Sequence, residues 1–267
     1  GEIAKDFHYP DLKDAFINIH QPKDLESAER ARERLTFDEA LLLQLLLGQR
    51  RAEIVKLTTK NRTPNTPVLV TAFEAKLPFK YTLGQQAVNA EIEKDLSNNY
   101  PMHRLLQGEV GSGKTVVALR AMLSVVDSGG QAALLAPTEV LAQQHYRTIK
   151  KLLGELADAG TLQAGAIGTS VELLTGSMSV AQKKEIHANL ASGQIGIVIG
   201  THALISDGVS FADLGLVVVD EQHRFGVEQR DALRMKAKQP PHLLVMTATP
   251  IPRTVAMTVF GDLDIST

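Results

Sequence analysis

An α/β fold is what this sequence predicts: a doubly wound, mostly parallel sheet with a helical N-terminal extension. Three observations predict it. Four short, almost unbroken apolar runs recur along the chain, helical stretches lie between them, and a glycine-rich loop joins a strand end to a helix. Strands covered by helices on both faces read as continuous rather than alternating apolar runs. Strand–helix alternation of this kind builds a parallel sheet.

From the amino end, residues from about 24 to 58 contain no proline and read as helix. Thr36 with Glu39 makes a capping box, which predicts the start of a second helix there. Leu41, Leu45, Leu46 and Ala52 offer that helix an apolar face. The stretch TTKNRTPNTP (58–67) is a linker by composition, and a domain boundary is expected at about residue 75. Beyond it, AALLA (132–136), IGIVI (195–199), LGLVVV (214–219) and LLVM (243–246) read as buried strands. VLAQQHYRTIKKLLGEL and SVAQKKEIHANLAS, between the first two runs, read as helices.

The loop GEVGSGKT, Gly108 to Thr115, fills the pattern G-x-x-x-x-G-K-[ST] at every fixed position. At average residue frequencies a chance match in a chain this long is on the order of one in a hundred. The residue types follow from the chemistry. Gly108, Glu109, Val110, Gly111, Ser112 and Gly113 let successive backbone N–H groups curl around a polyphosphate. The helix from about Lys114 adds its positive end. Lys114 can reach the β- and γ-phosphates of ATP, and the Thr115 hydroxyl can ligate Mg²⁺. RLLQ before the loop reads as a strand end, while Ala118, Ala121, Met122 and Val125 follow at helical spacing.

LVVVDEQH (216–223) supplies an acidic pair at the carboxyl end of a buried strand, where open α/β sheets bind ligands. Asp220 would hold Mg²⁺, and Glu221 would orient the attacking water. Alone, the pair is a weak signal and reads sooner as two solvated carboxylates in a turn; the phosphate loop upstream favours the metal. His223 has no role on local grounds.

Composition bounds the partners. With 28 basic and 30 acidic side chains the net charge is −2, so charge gives no support for nucleic-acid binding. The chain has no cysteine, which excludes disulfides and cysteine-ligated zinc and suits a reducing cytoplasm. No apolar run reaches the roughly 18 residues a membrane helix needs, so no membrane is expected.

In order, LPFKYTLGQQ, GEVGSGKT, APTEVLAQQH, LTGS, GTHALI, VVVDEQHRFGVEQR and MTATPIPR resemble a superfamily-two DExH helicase motor, in particular the RecG family of bacterial helicases that remodel branched DNA. DEQH followed by RFGVEQR discriminates most; transcription–repair coupling factors are similar here and are the alternative. The resemblance covers roughly residues 77–265. It implies a first RecA-like, ATP-binding helicase domain over 76–267, acting in DNA repair and recombination. Residues 1–75 look like a helical connector following a wedge-type DNA-binding domain.

The resemblance implies further roles. Gln85 looks like the residue that reads the adenine edge, although Thr82-x-x-Gln85 is also a capping box. Pro137, Thr138 and Glu139, and Gly200, Thr201 and His202, match segments that meet the DNA backbone. Thr138 opens a helix, so its hydroxyl and nearby N–H groups can hold a phosphate without a basic side chain. Thr247, Ala248 and Thr249 match the segment that passes nucleotide state to DNA grip, with Gln222 and His223 as its partners. Arg224 and Arg230 read equally as DNA contacts or surface charges.

The implied partners are branched or double-stranded DNA, a second RecA-like domain carrying arginines that complete the ATP site, and the wedge domain. Neither domain is in the sequence, so an excised, monomeric piece that turns over ATP very slowly is expected. Two other classes stand beside the motor: a P-loop small-molecule kinase, disfavoured by Glu221, and a non-catalytic ATP-gated scaffold.

Overall fold

The computed structural model describes residues 8–157, 167–220, 232–248 and 263–267. Glu221, Gln222, His223, Arg224, Arg230 and Thr249 lie outside them. The chain divides into two compact units, Gly1–Glu53 with Pro252–Asp262 and Ile54–Ile251 with Leu263–Thr267.

The first unit contains α1 (Leu12–His20) and most of α2 (Leu25–Val55). Asp24 starts α2: its carboxylate accepts from Ser27 N–H at 2.7 Å, and Ser27 Oγ accepts from Asp24 N–H. The helix then runs unbroken for 31 residues, so the new start expected at Thr36 does not occur. A cap requires non-helical backbone, and the Ala-, Arg-, Glu- and Leu-rich flanks of Thr36 favour continuation. The expected apolar face is also displaced. Ala31, Arg34 and Leu47 are buried, whereas Leu45, Leu46 and Ala52 are exposed. The run LLLQLLL puts leucine on every side of the helix and leaves its inner face undefined by pattern.

The second unit is built on seven parallel strands: β1 (His103–Gln107), β2 (Gln131–Leu135), β3 (Ser170–Leu174), β4 (Ile195–Gly200), β5 (Leu214–Asp220), β6 (His242–Thr247) and β7 (Asp264–Ser266). Their order is β3-β4-β2-β5-β6-β1-β7, and every pairing is parallel. The four expected strands are β2, β4, β5 and β6, and the expected strand end before the glycine-rich loop is β1. β3 and β7 were not expected. β3, SVELL, is short and half polar, and β7 has three residues, so neither carries a continuous apolar run.

The helices of this unit are α3 (Val68–Lys76), α4 (Leu83–Leu96), α5 (Lys114–Asp127), α6 (Glu139–Leu153) and α7 (Val180–Ser192). α5 buries nine of its fourteen residues, and its core joins Leu106, Leu134, Ile199, Val218 and Met246 of the strands with Phe73 of α3 and Ile92 of α4. Residues on the opposite sheet face, among them Leu105, Leu135, Val217 and Val245, are buried too. Burial on both faces is why β2 and β4 to β6 read as continuous apolar runs.

The presumed linker is an ordered strap along the amino-terminal edge of the sheet. Thr59 N–H donates to Asn99 O and Arg62 N–H to Leu96 O. Thr59 Oγ1 donates to Pro240 O at 2.6 Å, and Arg62, 3% exposed, forks onto Asp213 at 2.6 and 3.0 Å. Met102 N–H donates to Nδ1 of the fully buried His242, whose Nε2–H donates to Lys60 O at 3.3 Å. The next helix, α3, follows Pro67, which has no capping side chain. Asp127 from the end of α5 supplies the carboxylate instead, accepting from Leu69 and Val70 N–H at 2.9 and 3.0 Å. These contacts join residues 54–75 to the sheet unit, so the division falls at Glu53/Ile54 rather than near 75.

Candidate nucleotide and nucleic-acid site

Gly108–Gly113 leave the carboxyl end of β1 and enter α5 at Lys114. Gly108 N–H donates to Thr247 O, so the loop starts against the end of β6. Gly111 and Gly113 both have φ of +85°, the left-handed turn that aims backbone N–H groups inward. A Cβ on Gly113 would also stand 2.5 Å from Gln85 Nε2, so a side chain there would displace the amide that bonds Ser112 O. Thr115, half-buried, lies in the first turn of α5. Lys114 Nζ donates to Gly108 O at 2.7 Å and to Glu109 O at 2.9 Å, which draws the cation across its own loop.

Gln85 does two things. Its Oε1 accepts from Thr82 N–H while its N–H donates to Thr82 Oγ1, which completes the capping box of α4. Its Nε2 donates to Ser112 O at 2.8 Å and so touches the loop. Beside them is a hollow of about 150 Å³ lined by Thr82, Gln85, Val88, Ser112 and Lys114 among others.

Asp220 closes β5 at the same level. Gln107 is in register with Thr247, and Asp220 with Met246, so only β6 separates the loop's entry from the carboxylate. At strand spacing that is about 10 Å across the sheet edge. Asp220 Oδ2 accepts from His145 Nε2–H of α6 at 2.7 Å, with both side chains 13% exposed. Sequence reasoning assigned His145 no role. A signal was there: with Ala142, Ile149 and Leu153 it occupies the buried face of α6, where an apolar residue is expected. Thr247 is buried at the end of β6, with Ala248 following.

Among the described residues no cluster of three or more His, Cys, Asp or Glu could hold a metal by itself. Mg²⁺ does not need one. It ordinarily takes one or two protein oxygens and completes its octahedron with phosphate and water. A Thr115 hydroxyl and an Asp220 carboxylate at one sheet edge fit that donor set.

The remaining expected residues meet elsewhere on the same edge, around a cleft of about 540 Å³ lined by Pro137, Thr138, Glu139, Thr201, His202 and Lys183 among others. Thr138 caps α6, its Oγ1 accepting from Leu141 N–H. Gly200 sits where a Cβ would meet Leu174 O at 2.2 Å, so only glycine lets β4 end this close to β3. Glu139 points sideways. Its carboxylate accepts from Ser177 N–H at 3.0 Å and Ser177 Oγ at 2.6 Å, and these bonds hold its pKa below the ordinary value. The acid therefore braces the LTGS turn. Lys183 Nζ donates to Gly176 O from the other side of that turn. His187, also lining the cleft, has its pKa lowered by burial and then by Lys183 and Lys236. The cleft thus sets the Lys183 cation opposite the Glu139 carboxylate, with His187 held toward its neutral form. Lys183 and His187 were missed because their one-turn separation matters only once α7 is laid beside β3 and β4.

Residues 82–258 match the family model of the DEAD/DEAH box helicases. The chain is 56% identical over 256 residues to the ATP-dependent DNA helicase RecG of Mycobacterium tuberculosis, covering 95% of this chain and 35% of that protein. It is 48% identical over 265 residues to the ATP-dependent DNA helicase RecG of Synechocystis, covering 99% and 30%. Among solved structures, RecG bound to a three-way DNA junction superposes with a TM-score of 0.83 at 40% identity, covering 99% of this chain and 34% of that one. The chain spans about a third of the length of the curated relatives it matches.

Proposed function

The chain belongs to the DEAD/DEAH box helicase family, and from that premise we propose that it is the first RecA-like, ATP-binding motor domain of a cytoplasmic helicase that remodels branched DNA. ATP hydrolysis would drive movement along double-stranded DNA, with a second RecA-like domain and a wedge domain as partners. The observation that carries the reading is the register of β1, β6 and β5. It supports a single triphosphate site between the Lys114 loop and Asp220.

Each residue then has a task. The loop N–H groups receive the phosphate oxygens, and Lys114 exchanges the carbonyls of Gly108 and Glu109 for the β- and γ-phosphates. Thr115 and Asp220 would hold Mg²⁺, which would supply charge neutralisation. Glu221 orients the attacking water, and Gln222 and His223 relay the state of the site to Thr247, Ala248 and Thr249. Gln85 keeps one N–H and one lone pair beyond its internal bonds, enough to meet the acceptor N7 and the donor N6 of adenine. At the 540 Å³ cleft, Thr138, Thr201 and the N–H groups at the start of α6 receive DNA phosphates, with Lys183 and His202 beside them and Glu139 as a brace.

Binding of a fluorescent ATP analogue with and without Mg²⁺ tests this. The unsubstituted chain should bind in a metal-dependent manner, Lys114→Ala should lose at least about tenfold in affinity, about 1.4 kcal/mol, and Asp220→Asn should lose the metal dependence. Metal-independent binding indifferent to both changes would remove the motor reading. In a full-length protein that includes this chain, Glu221→Gln should retain nucleotide binding and stop DNA-stimulated hydrolysis. Turnover unchanged by that substitution would assign the water-orienting task elsewhere.

A further inference from the structure

We propose that His145 is a positioning residue for the metal-binding carboxylate, and that α6 joins the DNA cleft to the ATP site through it. The inference rests on the function proposed above and adds a residue and a route to it. Three observations carry it. His145 Nε2–H donates to Asp220 Oδ2 at 2.7 Å, with both groups largely withdrawn from water. A carboxylate held at one oxygen presents the other in a fixed direction, and such outer partners set metal affinity in other sites. Second, His145 lies seven residues beyond Thr138 on one continuous helix, roughly 10 Å along its axis. The first turn of that helix lines the 540 Å³ cleft. Third, both ends of this segment are anchored. Glu139 is bonded to Ser177 across the cleft, and Ala142, Ile149 and Leu153 are buried in the sheet unit. A phosphate drawn onto the amino end of α6 would act on a rigid rod. Two turns further along, that rod touches Asp220.

The test uses the whole 267-residue chain with Mn²⁺, a non-hydrolysable ATP analogue and a three-way DNA junction, reading metal binding by electron paramagnetic resonance. His145→Leu keeps most of the packing and removes the donor; His145→Gln keeps an N–H donor at similar reach. His145→Leu should weaken Mn²⁺ binding in the presence of nucleotide by about tenfold without changing nucleotide affinity in the absence of metal. His145→Gln should recover most of that loss. Saturating junction DNA should shift Mn²⁺ affinity several-fold in the unsubstituted chain and leave the Leu variant unmoved. A folded Leu variant with unaltered Mn²⁺ affinity overturns the proposal, as does equal weakening of metal-free nucleotide binding, which marks a purely structural side chain. DNA without effect on the unsubstituted chain overturns the route through α6. No nucleotide-dependent metal binding in the unsubstituted chain would remove the motor reading itself, a result distinct from these.

Discussion

Gly113 faces two demands, a left-handed backbone and the amide of Gln85 packed where its side chain would be. Gly113→Ala should therefore cost about 1–2 kcal/mol of stability for the backbone alone and weaken ATP-analogue binding by at least about tenfold. Paired urea denaturation and nucleotide titration check it; unchanged binding would show that Gln85 and the loop move apart freely. The loop was fully legible in the sequence because its chemistry is local: eight consecutive residues determine where the N–H groups point. The place of Asp220 was legible because it closes an apolar run, whereas a metal role for it was suggested only by the phosphate loop upstream. His145 was legible only as a polar side chain on a buried helix face, because its partner lies on another element. Gln85 was legible as two alternatives. Its capping bonds occupy only part of the amide, so they leave room for the adenine contact.

Among the elements, the strap over residues 58–63 departs furthest from its sequence appearance. Asn, Thr and Pro suggest mobility, yet Thr59 and Arg62 are buried by partners that no local pattern announces. His242 beneath it has its pKa lowered to about 4, first by burial and then by Arg62, against the backbone bond to Lys60, which raises it. The native imidazole stays neutral while the unfolded one protonates near pH 6.5. Its contribution is therefore complete above about pH 6.5 and falls as the pH drops toward 4. The loss should reach about 2 kcal/mol by pH 5, with His187 adding in the same sense. Urea midpoints at pH 7.5 and 5.0 measure this, and His242→Gln should remove most of the difference. Asp213, lowered to about 2 with Arg62 and Lys60 outweighing its burial, loses its contribution only as the pH falls below 3.8 toward 2. The continuous α2 teaches a related point: a capping box in mid-helix is only a possible start, and helix-forming neighbours decide whether it is used.

Across the whole molecule, the strand order brings the phosphate loop, Asp220 and the cleft to one edge of a single sheet. The parallel arrangement was legible from the apolar runs; the order was not, since it depends on which strands helices cross. A net charge of −2, with Lys183 as the cationic side chain of the cleft, predicts a shallow salt dependence for DNA binding. Lys183→Ala should weaken binding alike across DNA sequences and lower the log–log salt slope by about 1; filter binding from 50 to 200 mM salt would show it. The opposite edge of the sheet carries a consequence for anyone expressing the sheet unit by itself. A gene cut to begin at codon 76 would leave the His242 ring without an acceptor, Asp213 without its guanidinium, and Phe73 missing from the interior. Such a product should collect in inclusion bodies, whereas one begun at codon 54 keeps the whole belt of contacts and should purify from the soluble fraction.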